Sequence, residues 1–340
     1  LLNQKPVNKA TCLYAGDRLQ LGHLVLQLET RSQRQDSGLR DFDVSGYRRE
    51  ELLGEGAMAL VYRWRHQESG QCVAIKELRE PHPSLEKALR NEGQLLAELD
   101  CPRLIKALGW IEKEHWIGLA LEYFESETLT SWIDRHNQAQ RLDQGREILK
   151  QTCSALEYLH SLEPPVIVRD LKPDNILVNA QGEVRLIDFG IARPVAENLA
   201  TESMLKGFAS TTYAPLEQYT ANQSTNQASD IYSLGATAYH LVAGQAPLTA
   251  IELVGQHKTA EVGLKALGVE EAWVSLVGSA MPLRGARCSL GQFQAALEAL
   301  EPQPRRAEPA PATSTDWTQL LVWLTAFALF VSMLCLVLNF

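Results

Sequence analysis

Between residues 47 and 122, apolar and polar positions alternate in short runs at 47–53, 59–65, 72–78, 104–111 and 116–122, the two-residue period of a half-buried β-strand. One segment in this region, residues 84–99, spaces its apolar positions three and four apart and predicts an amphipathic helix. Beyond residue 129 the helical period takes over, most clearly over 146–161 and 229–243. The pattern predicts an α+β domain over residues 46–300, with a small β-rich lobe followed by a larger α-rich lobe.

The two ends differ from this body. Residues 1–30 alternate in runs broken at Gly16, Asp17 and Gly22 and predict two or three strands. So short a sheet cannot stand alone, and it is expected either to pack on the next domain or to finish a larger sandwich. A polar stretch at 31–45 reads as a linker. Residues 301–318 are rich in Pro and Ala and too polar to fold, which suits a semi-rigid spacer. Polarity then vanishes over 319–340, where about nineteen helical residues would span roughly 28 Å, a bilayer core. A single C-terminal transmembrane helix is expected there, with the lipid bilayer as partner. Arg305 and Arg306 on its near side place the preceding domains on the cytoplasmic face.

Composition adds exclusions. A net charge of −9, with no run of Lys or Arg longer than a pair, argues against nucleic acid as a partner. The six cysteines stand far apart and never as Cys-x-x-Cys, so neither a zinc site nor a disulfide framework is expected, and the compartment reads as reducing. The chain opens at Leu1 without a secretion leader, and a further region upstream is expected.

Candidate chemistry sits at five places. Gly54 and Gly56 lie in a turn between two strand runs, where the lack of a Cβ lets backbone N–H groups approach phosphate oxygens. Lys76 ends the otherwise apolar run Val73-Ala74-Ile75, and a buried ammonium needs a partner or a phosphate. Glu92, on the helix at 84–99, is the candidate partner. Asp170-Leu-Lys172-Pro-Asp-Asn175 and Asp188-Phe189-Gly190 complete the set, separated by the turn at Gln181 and Gly182.

These elements, in this order, resemble the protein-kinase family, and more narrowly the bacterial-type, eukaryotic-like serine/threonine kinases, over about residues 47–300. The resemblance implies a two-lobed kinase fold and transfer of the γ-phosphate of ATP to Ser or Thr hydroxyls of protein substrates. Asp170 would accept or orient the hydroxyl proton, Lys172 would lie against the γ-phosphate, and Lys76, held by Glu92, would fix the α- and β-phosphates. Asn175 and Asp188 would hold Mg²⁺, with Mn²⁺ as a substitute. Val61, Ala74 and Leu177 would sandwich the adenine beside backbone groups of Glu122 and Phe124.

Tyr213-Ala-Pro-Leu-Glu217 resembles the family's Ala-Pro-Glu element, with Arg287 the ion-pair partner of Glu217, and Asp230 is expected to brace the large lobe. Hydroxyls at Thr201, Ser203, Ser210, Thr211 and Thr212 are candidates for autophosphorylation, with Arg169 as the cation for the new phosphate. Residues 3–22 resemble the last strands of a forkhead-associated domain, whose phosphate-gripping residues would lie earlier than this stretch.

Two positions depart from the kinase pattern. Ala59 stands where the third glycine of the loop is usual, and Val168 where His or Tyr usually precedes Arg169. The departures leave open a membrane-anchored pseudokinase or scaffold, and the related fold leaves open a kinase of small molecules. Self-association in the membrane is a further expectation, since tethering raises the effective concentration of neighbours.

Overall fold

The computed structural model describes residues 18–21, 24–27, 39–56, 58–80, 82–113, 116–189, 193–194, 212–219, 225–283 and 285–300. The expected spacer and transmembrane helix at 301–340 lie outside these residues. Among the described residues no helix is long and apolar enough to cross a membrane.

Near the N-terminus, strands β1 (Arg18–Leu21) and β2 (Leu24–Gln27) form an antiparallel hairpin with Arg18 opposite Gln27. The small lobe is a five-stranded antiparallel sheet of β3 (Tyr47–Glu55), β4 (Ala59–His66), β5 (Cys72–Leu78), β6 (Ala107–Lys113) and β7 (Trp116–Glu122), in the order β3-β4-β5-β7-β6. Helix α1 (Pro83–Glu98) packs across β6 and β7 through Leu89 and Leu96. Its start is fixed locally, with Pro83 in the first turn and the His82 ring accepting the N–H of Ser84.

The strand run expected at 104–111 begins three residues later, at Ala107. Leu104 is diverted to bridge Leu186, and Ile105 donates to the Leu186 carbonyl at 3.0 Å. This bridge ties the end of the small lobe to the hairpin of β9 (Ile176–Val178) and β10 (Val184–Leu186) in the large lobe. The chain returns between the lobes through β8 (Glu127–Thr128), which pairs with β9.

Residues 39–44, inside the stretch read as linker, are not free chain. Asp41 bridges Trp110, and Leu39, Phe42 and Val44 pack on the small lobe.

The large lobe is built on α3 (Gln138–Ser161) and α4 (Gln227–Ala243), following the short α2 (Leu129–Arg135). Helix α3 starts eight residues before the predicted 146. Its first two turns are solvent-facing and show no apolar stripe, while Asn137 and Gln140 form a capping box that fixes the true start. Helix α4 is buried on all sides from Ser229 to Val242 and ends at Gly244, whose φ of 73° suits glycine. After α5 (Ala250–Gly255), helices α6 (Ala260–Ala266) and α7 (Glu271–Ala280) pack on it, and α8 (Leu290–Ala299) packs on α3 and α7. One apolar core runs from Ala74 and Leu89 in the small lobe through Phe189 to Phe293 and Leu297. Among the described cysteines, Cys72, Cys101, Cys153 and Cys288 are free thiols.

Candidate active site

A cleft of about 520 Å³ is lined by both lobes. Its roof is the β3–β4 turn and β5, its rear wall α1, and its floor the segment from Asp170 to Leu177 with Asp188. Every site residue expected from the sequence lines it, namely Gly54, Gly56, Val61, Ala74, Lys76, Glu92, Glu122, Phe124, Asp170, Lys172, Asn175, Leu177 and Asp188.

The turn at Gly54 and Gly56 is pinned from behind. Gly56 donates to the Ala59 carbonyl at 2.9 Å, and the Arg79 guanidinium donates to the Gly56 carbonyl at 3.1 Å. A Cβ at Gly54 would meet no protein atom within 4 Å, so the backbone there borders open space in which an anion can sit against N–H groups. Ala59 itself is a buried residue at the start of β4 and lines the cleft beside the turn.

On the rear wall, the Lys76 ammonium lies 2.8 Å from both Glu92 carboxylate oxygens and 2.9 Å from Asp188 Oδ1. Glu92 is 3% exposed and also accepts the Phe189 N–H at 3.3 Å. Burial works against the charge on Lys76, but the two carboxylates outweigh it and hold its pKa above the ordinary lysine value. Burial drives Glu92 upward, opposed by Lys76 and reinforced by Asp188. Two carboxylates meet the one ammonium, and the Asp188 side chain is 45% exposed. A carboxylate oxygen at the edge of the cleft is a donor that a hard cation accepts.

On the floor, Lys172 Nζ lies 2.7 Å from Asp170 Oδ2. Asn175 Nδ2 reaches the Asp170 carbonyl at 2.8 Å and Oδ2 at 3.1 Å. Both partners are acceptors, so the amide nitrogen must face them and the amide oxygen points away, a ligand of the type Mg²⁺-class cations prefer. Together with the Asp188 carboxylate it offers oxygen donors to a hard cation. Among the described residues no group of three or more His, Cys, Asp or Glu is placed to hold a metal ion.

Both loops carry left-handed backbone at non-glycine residues, φ 68° at Arg169 and 65° at Asp188. Such conformations cost roughly 1–3 kcal/mol each and persist only where neighbours enforce them. For Arg169 the enforcing contacts are visible. Asp230, fully buried, accepts the N–H of Val168 at 3.0 Å and of Arg169 at 2.9 Å, and Gln218 donates to the Arg169 carbonyl at 2.9 Å. Val168 is buried in the core, so its departure from the family pattern is accommodated by packing, with its backbone still anchored.

Glu217 meets Arg287, with Nη2 to Oε2 at 2.9 Å, and also accepts the Ser229 hydroxyl. Burial opposes its charge, yet the Arg287 bonds win and hold the carboxyl below its ordinary range. Of the candidate phosphorylation sites, Thr201, Ser203, Ser210 and Thr211 lie outside the described residues.

Sequence reasoning missed His160, whose ring bonds Asp230 at 2.8 Å, and the cleft-lining Ile105, Leu121 and Ile187. Ile187 was within reach, since it directly precedes Asp188. His160 carried no signal, because only the fold brings it within reach of Asp230, seventy residues on.

A glycine-cradled roof, a buried lysine shared by two carboxylates and an aspartate flanked by lysine and asparagine make a site for phosphoryl transfer from a nucleotide assisted by a divalent cation. A family model described as protein kinase domain matches residues 47–273, more than half of the chain. The chain is a protein kinase, an ATP-using phosphotransferase of the protein kinase family.

Proposed function

We propose that this kinase phosphorylates serine and threonine hydroxyls of protein substrates, using Mg²⁺, and that it phosphorylates its own loop between Gly190 and Glu217. The observation that carries the reading is the assembled cleft: Lys76 on Glu92 and Asp188 on one wall, and Lys172 and Asn175 on Asp170 on the other. Asp170 takes or orients the proton of the attacking hydroxyl, and Lys172 lies where charge builds on the transferred group. Lys76 positions the phosphates, and Asn175 and Asp188 hold the cation. Val61, Ala74 and Leu177 enclose the adenine. The Glu122 N–H is taken by the Lys106 carbonyl and the Phe124 carbonyl by Ser126, which narrows the adenine contacts to the Glu122 carbonyl and the Phe124 N–H. Serine/threonine preference rests on Lys172 in the Asp-Leu-Lys-Pro stretch.

The decisive experiment incubates the chain with Mg²⁺, γ-labelled ATP and mixed peptides beside an Asp170→Asn control. Label on Ser or Thr that disappears in the control supports the proposal. Nucleotide binding without label would favour a scaffold, and label on tyrosine would remove the specificity.

The same reading extends to the chain's ends. Residues 319–340 anchor the kinase in a membrane through the spacer 301–318, with the kinase domain on the cytoplasmic side, and the β1–β2 hairpin belongs to the tail of a forkhead-associated domain. The apolar run at 320–338 supports the anchor, and tethered copies would phosphorylate one another. Carbonate washing of membranes tests it: release of the full chain into the wash would remove the anchor.

A further inference from the structure

Helix α1 carries Glu92, and the next residue is a glycine, an unfavourable choice inside a helix. A second glycine, Gly109, interrupts β6, where a side chain would ordinarily pack. The same segment lies against both, sharing the contact at Gly93 with Leu119. A Cβ on Gly93 would stand 2.9 Å from Leu39 Cδ2 and 2.7 Å from Leu119 Cδ1. A Cβ on Gly109 would stand 2.7 Å from the Arg40 carbonyl and 2.8 Å from Phe42 Cβ. The glycines open a seat for residues 39–44, which precede the matched range 47–273.

The seat is bonded as well as shaped. Phe42 N–H donates to the Trp110 carbonyl at 2.7 Å, and Trp110 N–H donates to the Arg40 carbonyl at 2.8 Å. Trp110 in turn carries Arg90 of α1 over its ring at 4.4 Å, and Arg90 also pairs with Glu112 at 2.6 Å. Beyond Phe42 the segment is locked by buried Val44, whose carbonyl accepts the Tyr47 N–H at 3.0 Å. Residues 39–44, β6 and α1 thus form one packed unit, and Glu92, the residue before Gly93 and buried like it, reaches Lys76.

We propose that residues 39–44 are a strap that holds α1 where Glu92 meets Lys76, and that Leu39, acting through Gly93, is a positioning residue for phosphoryl transfer. The proposal rests on the role given above to the Lys76–Glu92 pair. Without the Leu39 contact α1 gains freedom to shift outward, and the nucleotide-competent arrangement becomes a fraction of the population. Apparent nucleotide affinity falls by that fraction.

The test uses the full chain carrying Leu39→Asp, Leu39→Ala or Leu39→Met, with Ile251→Asp on the exposed face of α5 as a remote control. Affinity for a fluorescent ATP analogue, the KM for ATP and amide exchange over 83–98 are measured together with the melting temperature. Leu39→Asp is expected to weaken nucleotide affinity about tenfold, as when one molecule in ten holds α1 in place. It should also speed exchange in α1 while exchange in α3 and α4 is unchanged. Leu39→Ala should follow more weakly, and Leu39→Met, which keeps the volume, should restore the parent values. Unchanged affinity and unchanged α1 exchange in Leu39→Asp would overturn the strap. So would a uniform loss of protection across both lobes in Leu39→Ala, because that is a stability effect alone. If the parent chain transfers no phosphate, the proposed activity fails, yet binding and exchange still decide the strap.

Discussion

Two buried clusters in this kinase use the same residue types to opposite ends. Around Lys76, two carboxylates share one ammonium, and Asp188 opens to the cleft. Around Asp230 and Glu217 the charges are closed in: Asp230 is met by two backbone N–H groups and His160, and Glu217 by Arg287 and Ser229. The first cluster is open on the side where a nucleotide enters. The second is complete without any ligand. Burial and pairing alone therefore do not mark chemistry; a paired charge that also faces an open cleft does.

The comparison breaks if the two clusters respond alike to substitution. The largest effect is expected from Asp170→Asn, which keeps the shape but removes the proton acceptor. Turnover should fall by about 10³-fold with the urea midpoint unchanged. A variant that unfolds earlier instead would place Asp170 with the braces. Next, Asp230→Asn should lower unfolding free energy by about 3 kcal/mol, because three buried donors lose a charged acceptor. If stability holds while ATP affinity collapses, Asp230 belongs with the cleft. Lys76→Met should cut kcat/KM for ATP by about 10²-fold, about 2.7 kcal/mol. Its mark is specificity: the KM for peptide should move far less than that for ATP.

The same division governs what could be read in the sequence. Strands β5 and β7 have the predicted bounds because alternation was clean and turn residues closed each end. The cleft residues were legible because phosphate chemistry demands particular side chains at short spacings, as in Asp170, Lys172 and Asn175. The brace was legible only in part. Arg287 and Glu217 could be paired, but His160 and Gln218 act through contacts that only the fold creates. Residues 39–44 read as polar linker because a few apolar positions are too short a run to show a period. Their order comes from Trp110, far along the chain.

The smallest expected effect is pH-dependent and concerns Glu217. Its folded pKa lies below the ordinary 4.5 because the Arg287 and Ser229 bonds outweigh the opposing effect of burial. A depressed carboxylate contributes stability that is fully present above its unfolded value and is lost as pH falls through the folded one. Partial solvent access keeps that contribution modest. Comparing urea unfolding of the parent with Glu217→Gln isolates it, since every other carboxylate titrates in both. The stability gap between them should be constant above about pH 5 and narrow steadily below 4.5. A gap for Glu217→Gln that stays fixed down to acid unfolding would mean that the Arg287 contact acts by shape and hydrogen bonding and not by charge. The line between closed and open clusters would then have to be drawn on packing alone.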